Sequence, residues 1–237
     1  MKSKTAAFLA LLALCVPSFA ASPLQIGLGI PRHYPLQLVS TNTPVIGLRL
    51  NLLGSENPSV AALDLGLYSV ADTFSGIRVN AIGHSDTCTG IAVGLVDHAD
   101  TVNGIQIAPL AGTEHLTGIQ IGLLAIGEDF RGLQAGIVAG ANFGHSCFRG
   151  LQIGLLTGAT DLAGAQIGLF NYGTELMRSN GSVSGVQIGL VNTTETLHGV
   201  QIGLANRAAT LQGLQIGLVN VVSGSDWPVM PILRYAF

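Results

Sequence analysis

Residues 199–206 read Gly-Val-Gln-Ile-Gly-Leu-Ala-Asn, and variants of this phrase return along most of the chain. Most copies begin 14 residues after the previous one, and two intervals lengthen to 18 and 21 residues. A short and nearly fixed period predicts one structural unit, repeated about 12 times along the chain. The copies begin at Gly47, Ala62, Gly76, Gly90, Gly104, Gly118, Gly132, Gly150, Gly164, Gly185, Gly199 and Gly213.

The repeat alternates between two kinds of side chain. With positions numbered 1 to 14, the unit 199–212 has Val, Ile and Leu at positions 2, 4 and 6, and Gly, Gln and Gly at positions 1, 3 and 5. Alternation with a period of two residues predicts a β-strand with one apolar face. Position 13 is also apolar in nearly every copy. We expect a bend at the next glycine to turn positions 13 and 2 inward together.

Two all-β architectures fit this unit. The first is a parallel β-solenoid, in which each unit is one coil and equivalent positions stack. The alternative is an antiparallel outer-membrane β-barrel with one strand per repeat. Uniform turns and an apolar stripe shorter than the roughly 9–11 residues of a membrane-spanning strand favour the solenoid. The ending 233–237, which closes in Phe237, resembles the sorting signal of outer-membrane barrels and favours the alternative.

The two ends of the chain differ from the repeats. Residues 1–20 combine Lys2 and Lys4, a short apolar run and small residues at Ser18 and Ala20, which is typical of a cleaved signal peptide. We divide the rest into an N-terminal cap with partial repeats at 21–46, a repeat domain at 47–220 with insertions near 142–149 and 173–184, and a C-terminal cap or terminal strand at 221–237.

Charge and motifs exclude several classes of function. Both lysines lie in the predicted signal peptide, so the remaining chain has eight arginines against 13 acidic residues, a net charge of −5 with neutral histidines. An acidic chain does not favour a nucleic-acid partner. The sequence contains no G-x-S-x-G, H-E-x-x-H, C-x-x-C or P-loop motif. We therefore expect neither an enzyme nor a cofactor, and we assign no catalytic residue.

Position 3 is glutamine in eight copies, and in a solenoid these side chains would stack. Stacked amides can each donate to one neighbour and accept from the other. We therefore predict a structural ladder rather than a row of ligand-binding groups. The predicted ladder comprises Gln106, Gln120, Gln134, Gln152, Gln166, Gln187, Gln201 and Gln215. A similar stack is expected at position 8, from Asn171, Asn192, Asn206 and Asn220.

Acidic residues and histidines also recur at fixed positions. A solvated acidic turn is the expected role of the acidic residues at position 11, and a ladder that binds Ca²⁺ is the alternative. These residues are Asp72, Asp86, Asp100, Glu114 and Glu128. His84 and His98 share position 9 of adjacent units, where we expect two solvated histidines, with a surface metal site as the alternative.

Cys88 and Cys147 are the two cysteines that follow the predicted signal peptide. We expect two buried apolar thiols, and a disulfide in an oxidising compartment is the alternative. In a solenoid the two residues would lie roughly 20 Å apart, which is beyond the reach of a disulfide.

The phrases Gly-Val-Gln-Ile-Gly-Leu-Val-Asn at 185–192 and Gly-Leu-Gln-Ile-Gly-Leu-Val-Asn at 213–220 resemble the tandem repeats of uncharacterised bacterial "surface repeat-containing" proteins. The segments 47–52 and 227–232 resemble the opening and ending of the same family. This resemblance implies a location in the cell envelope or at the cell surface, and it brings no catalytic residues.

Two functions remain from the sequence. The favoured one is a non-catalytic, secreted or surface-exposed structural or binding protein of the bacterial cell envelope. Its flat Gly–Gln face or its insertion loops would then bind a partner. The alternative is a small outer-membrane barrel, porin-like or an anchor, with Phe237 as its sorting signal.

Overall fold

A computed structural model describes residues 21–141, 147–173, 181–223 and 225–236. The fold is all-β, with mostly parallel strands stacked as a β-solenoid of about 11 turns. Several assigned strands are long because the chain stays extended through successive coils. The strands are β1 Ser22–Gly27, β2 Val45–Val93, β3 Val96–Ile107, β4 Leu110–Ala141, β5 Cys147–Gly158, β6 Asp161–Gly173, β7 Ser182–Ile188, β8 Val191–Ile202, β9 Ala205–Val222 and β10 Val229–Ala236.

The register between neighbouring strands follows the sequence repeat. β8 and β9 pair in parallel, with Gly199 opposite Gly213. The longer intervals keep equivalent residues opposite each other, as with Gln134 and Gln152 across β4 and β5. Gln166 likewise lies opposite Gln187 across β6 and β7. Parallel pairing of equivalent positions confirms the solenoid, and the alternative of an antiparallel barrel with one strand per repeat is wrong.

The chain forms two compact units, which divide between Ala99 and Asp100. In the first unit, β1 pairs in parallel with β2, with Gln25 opposite Arg49. In the second unit, β4 to β9 pair in parallel from one strand to the next. The chain then reverses direction, because β10 pairs antiparallel with β9.

Several predicted segments fall outside the described residues. These are the predicted signal peptide, the terminal Phe237, and residues 142–146 and 174–180 of the two predicted insertions. The assignment of a signal peptide and of a sorting signal therefore stays a prediction.

The core contains four positions of each coil. In the unit 199–212 the buried residues are Gln201, Asn206, Ala208 and Leu211, at positions 3, 8, 10 and 13. Position 13 is inward, as expected. The apolar residues at positions 4 and 6 lie outside, because Ile202 is 39% exposed and Leu204 is 52% exposed. The expectation that the apolar face of the strand forms the core is therefore wrong.

The first glycine of the coil is required by its backbone conformation. Gly199 has a φ of 146°, in a region that side chains of L-residues rarely adopt. A Cβ on this residue would lie 2.0 Å from the carbonyl oxygen of Gly185, one coil earlier. Position 2 is not turned inward at this residue: Val200 is only half-buried, whereas Gln201 is fully buried.

Candidate interaction surface

The eight glutamines of the predicted ladder form one buried column in the second unit, each 0–1% exposed. From Gln120 onward, the Nε2 atom of each glutamine donates to the Oε1 atom of the glutamine one coil earlier. Seven such bonds, of 2.6–2.8 Å, connect the column from Gln106 to Gln215. Direct bonds between consecutive side chains mean that eight coils of this unit stack in register.

Gln187 illustrates the environment of each amide. Its Nε2 donates to Oε1 of Gln166 at 2.6 Å, and its Oε1 accepts from Nε2 of Gln201 at 2.7 Å. The second N–H of most members reaches the local backbone, as where Gln201 donates to the carbonyl of Arg207 at 3.3 Å. These hydrogen bonds replace the bonds that each amide would make to water. They therefore offset the desolvation cost of placing a polar side chain in the core.

A second ladder at position 8 runs in the opposite direction. Asn171 donates to Asn192 at 2.7 Å, Asn192 donates to Asn206 at 2.8 Å, and Asn206 donates to Asn220 at 2.8 Å. Each bond therefore points towards the following coil, whereas each glutamine bond points towards the preceding one. Two amide columns with opposed directions partly cancel each other's dipoles along the stack.

The asparagine column explains the second glycine of the repeat. Gly203 lies at position 5, between two outward residues, so its missing side chain would point inward. A Cβ there would lie 2.6 Å from Nδ2 of Asn192 and 3.1 Å from Oδ1 of Asn206. The amides of position 8 fill the space beneath this glycine, which leaves the core side of the strand polar.

The first unit replaces amides with a buried ion pair that the sequence analysis did not predict. Arg49 and Asp64 both stand at position 3 of their copies, and each is fully buried. Arg49 binds Asp64 through two hydrogen bonds of 2.7 and 3.0 Å, and Ser69 donates to the same carboxylate at 2.6 Å. Burial by itself would raise the pKa of Asp64, but the charge of Arg49 and these hydrogen bonds hold it below its ordinary value.

A second buried pair joins Arg78 and Asp97 in the same unit. Nη2 of Arg78 donates to both carboxylate oxygens of Asp97, at 2.9 and 3.1 Å, and the guanidinium lies 5.1 Å from the centre of the Phe74 ring. Arg78 stands at position 3, where most other copies have glutamine. Arg49 and Asp64 share position 3 of consecutive copies, whereas Asp97 stands at position 8 of the copy that follows that of Arg78. Opposite charges in consecutive copies were the available sequence signal.

The candidate metal ligands lie mostly on the surface. Glu114 and Glu128 are exposed in the second unit, as Asp72 and Asp86 are in the first, while Asp100 is half-buried. His84 and His98 stack with their ring centres 5.6 Å apart. Among the described residues, no group of three or more histidines, cysteines or acidic residues is arranged to hold a metal ion. The calcium ladder and the histidine metal site thus gain no support.

The two cysteines differ in environment, and both are free. Cys88 is buried, as expected, and burial raises the pKa of its thiol to about 11. Cys147 is exposed, so the expectation of two buried thiols is wrong for this residue. Cys147 is exposed because it stands at position 12 of its coil, where side chains face solvent.

Cys147 lines a cavity of about 350 Å³ in the second unit, together with His115, Asp129 and two arginines. Nδ1 of His115 lies 3.1 Å from a carboxylate oxygen of Asp129, and both side chains are more than half exposed. Asp129 is the strand partner of Cys147. The histidine is therefore paired with the carboxylate that stands next to the cysteine.

The most extended feature of the second unit is an apolar face on the outside of the coils. We call it the Ile–Leu face and define it as positions 4 and 6 of the five coils that begin at residues 150, 164, 185, 199 and 213. These residues, with Ile232 and the glycines of position 5, line a groove of about 700 Å³. The face comprises Ile153, Leu155, Ile167, Leu169, Ile188, Leu190, Ile202, Leu204, Ile216 and Leu218.

The Ile–Leu face replaces the predicted binding surface. The Gly–Gln face was expected to meet a partner, but the glutamines are inside and inaccessible. All ten side chains of the Ile–Leu face are at least 37% exposed. A contiguous apolar surface of this kind marks an interaction site far more often than isolated exposed apolar residues do.

Comparison with known proteins adds no assignment, because no family model, curated protein or solved structure matches the chain. The resemblance to surface repeat-containing proteins therefore stays a prediction. Within the described residues, no helix is long and apolar enough to cross a membrane.

Proposed function

We propose that this chain is a non-catalytic, exported structural or binding protein of the bacterial cell envelope, and that the Ile–Leu face is its contact surface. The observation that carries the proposal is the pairing of a closed polar core with an apolar exterior. The core amides bond to one another, so they offer no groups to a ligand. Among the residues that the structure describes, none covers the exterior columns over these five coils.

Sequence features support the export part of the proposal. Residues 1–20 have the basic start, apolar run and small residues of a signal peptide, and the repeat phrase resembles that of bacterial surface proteins. A stack of coils with nearest-neighbour contacts is an extended scaffold, which suits a structural or binding role.

The exposed thiol of Cys147 allows a direct test of location. The chain would be expressed with its own N-terminus in a Gram-negative host, and intact cells would be treated with a membrane-impermeant biotin maleimide. We expect labelling on intact cells that disappears in a Cys147→Ser variant. Labelling that requires lysis of the cells would contradict a surface location.

A further inference from the structure

We infer that the Ile–Leu face binds the same face of a second copy of this chain. The inference rests on the proposed function only in taking this face as the contact surface. The charge, the spacing and the area of the face favour a second copy as its partner.

The face is free of charge over its whole extent. Positions 1 to 6 of the eight coils between Gly104 and Leu218 contain no Asp, Glu, Lys or Arg. Two copies can therefore meet through the same surface without placing like charges opposite each other. An anionic lipid surface fits less well, because the chain after the predicted signal peptide is acidic.

The spacing of the face suits a copy of itself. Its side chains form two columns, Ile at position 4 and Leu at position 6, separated by a column of glycines. Rows in each column repeat at the inter-strand spacing of about 4.8 Å. Only a surface with the same repeat can place a ridge against a groove at every row, as the facing sheets of a steric zipper do. A second copy has that repeat.

The area is sufficient for a stable contact. The apolar exterior continues beyond the five coils of the Ile–Leu face, because Ile107, Ile121, Leu123 and Ile137, at the same positions of the three preceding coils, are also exposed. Together, eight stacked coils at about 4.8 Å, each with five strand residues at about 3.3 Å, give an apolar surface of roughly 38 by 16 Å. That is about 600 Å² per copy and about 1,200 Å² for a pair, the lower end of the range for specific protein interfaces. The contact is isologous, because each copy uses the same surface.

The inference is tested by sedimentation velocity and light scattering on the purified protein. The chain is expressed with its own N-terminal residues. We expect a dimer for the wild-type chain and a monomer for a Leu190→Glu/Leu204→Glu variant, which places like charges on both copies. The matched control is His198→Glu/Gln212→Glu. These residues are exposed, lie in the same two coils and are strand partners, but they stand at position 14. The control is expected to remain a dimer.

A crosslinking experiment separates loss of contact from loss of fold. In a Cys147→Ser background, Leu204→Cys is expected to give a dimer with a short bismaleimide linker, whereas Gln212→Cys is not. A monomeric wild-type chain would overturn the inference, as would equal crosslinking of the two variants. If a monomer instead floats with neutral phosphatidylcholine vesicles, the occupant of the face is lipid and the second copy is refuted. None of these outcomes changes the surface-labelling result, so the proposed function is tested separately.

Discussion

Replacing Gln187 with alanine is expected to destabilise the second unit by about 3 kcal/mol. The change removes two ladder bonds, each of which contributes about 1 kcal/mol net, and leaves Oε1 of Gln166 without its donor in the core. It also leaves a void, which accounts for about 1 kcal/mol more. Gln201 keeps its bond to the backbone of Arg207, which limits the loss on that side.

Two further variants separate the contributions. Gln187→Leu fills most of the space without restoring the amide bonds. We therefore expect it to recover only the part of the stability that Gln187→Ala loses through the void. Gln212→Ala removes an exposed amide one coil later and is expected to change stability by less than about 0.5 kcal/mol.

Urea unfolding followed by far-UV circular dichroism measures these differences. Because repeat arrays can unfold in more than one step, the whole curves are compared before any single free energy is fitted. If Gln187→Ala and Gln212→Ala unfold alike, the ladder contributes no net stability. Equal stability of the two variants would therefore refute a stabilising role of the buried amides.

Three other predictions address the glycines, the buried charges and the thiols. Gly199→Ala is expected to lower the urea midpoint of unfolding strongly, because Gly199 has a positive φ and a Cβ there would meet a backbone carbonyl oxygen. Gly158→Ala is the control, since a Cβ at Gly158 meets nothing within 4 Å. Equal midpoints for the two variants would contradict this prediction. The pKa of Asp64 is lowered by folding, so its stabilising contribution is complete above the unfolded pKa of about 3.9 and is lost as pH falls through the folded value. An acid titration of stability checks this, and the slope should weaken in Asp64→Asn. A soluble maleimide should modify Cys147 in the native chain and Cys88 only after unfolding, and mass spectrometry after brief labelling would reveal any early reaction of Cys88.

The 14-residue period predicted a repeated β unit, and the uniform turns and the short apolar stripe favoured the solenoid over a barrel. Which face lies inside was predicted wrongly. Period-two alternation distinguishes two faces, and hydrophobicity normally decides which of them is buried. Here the amides bond to their own copies one coil away, so glutamine and asparagine can form the core and isoleucine and leucine can remain outside.

A signal for the correct orientation was present in the spacing. Position 13 is buried, and it lies four residues before the next position 3 but three residues before the next position 2. An even separation along an extended strand places two side chains on the same face. The glutamines thus share a face with the buried Leu211 and its equivalents. The ion pairs of Arg49 and Arg78 could be suspected from opposite charges at inward positions, but their partners depend on the fold.

The two ladders make the length of this protein an adjustable quantity. Every inner coil of the second unit presents the same donor and the same acceptor to its neighbours, so one coil can follow any other. Duplicating or deleting one 14-residue segment of the gene would preserve each remaining amide bond while moving one end of the stack by about 4.8 Å. Such a gene can change the reach of its product in uniform steps, without selecting a new core each time.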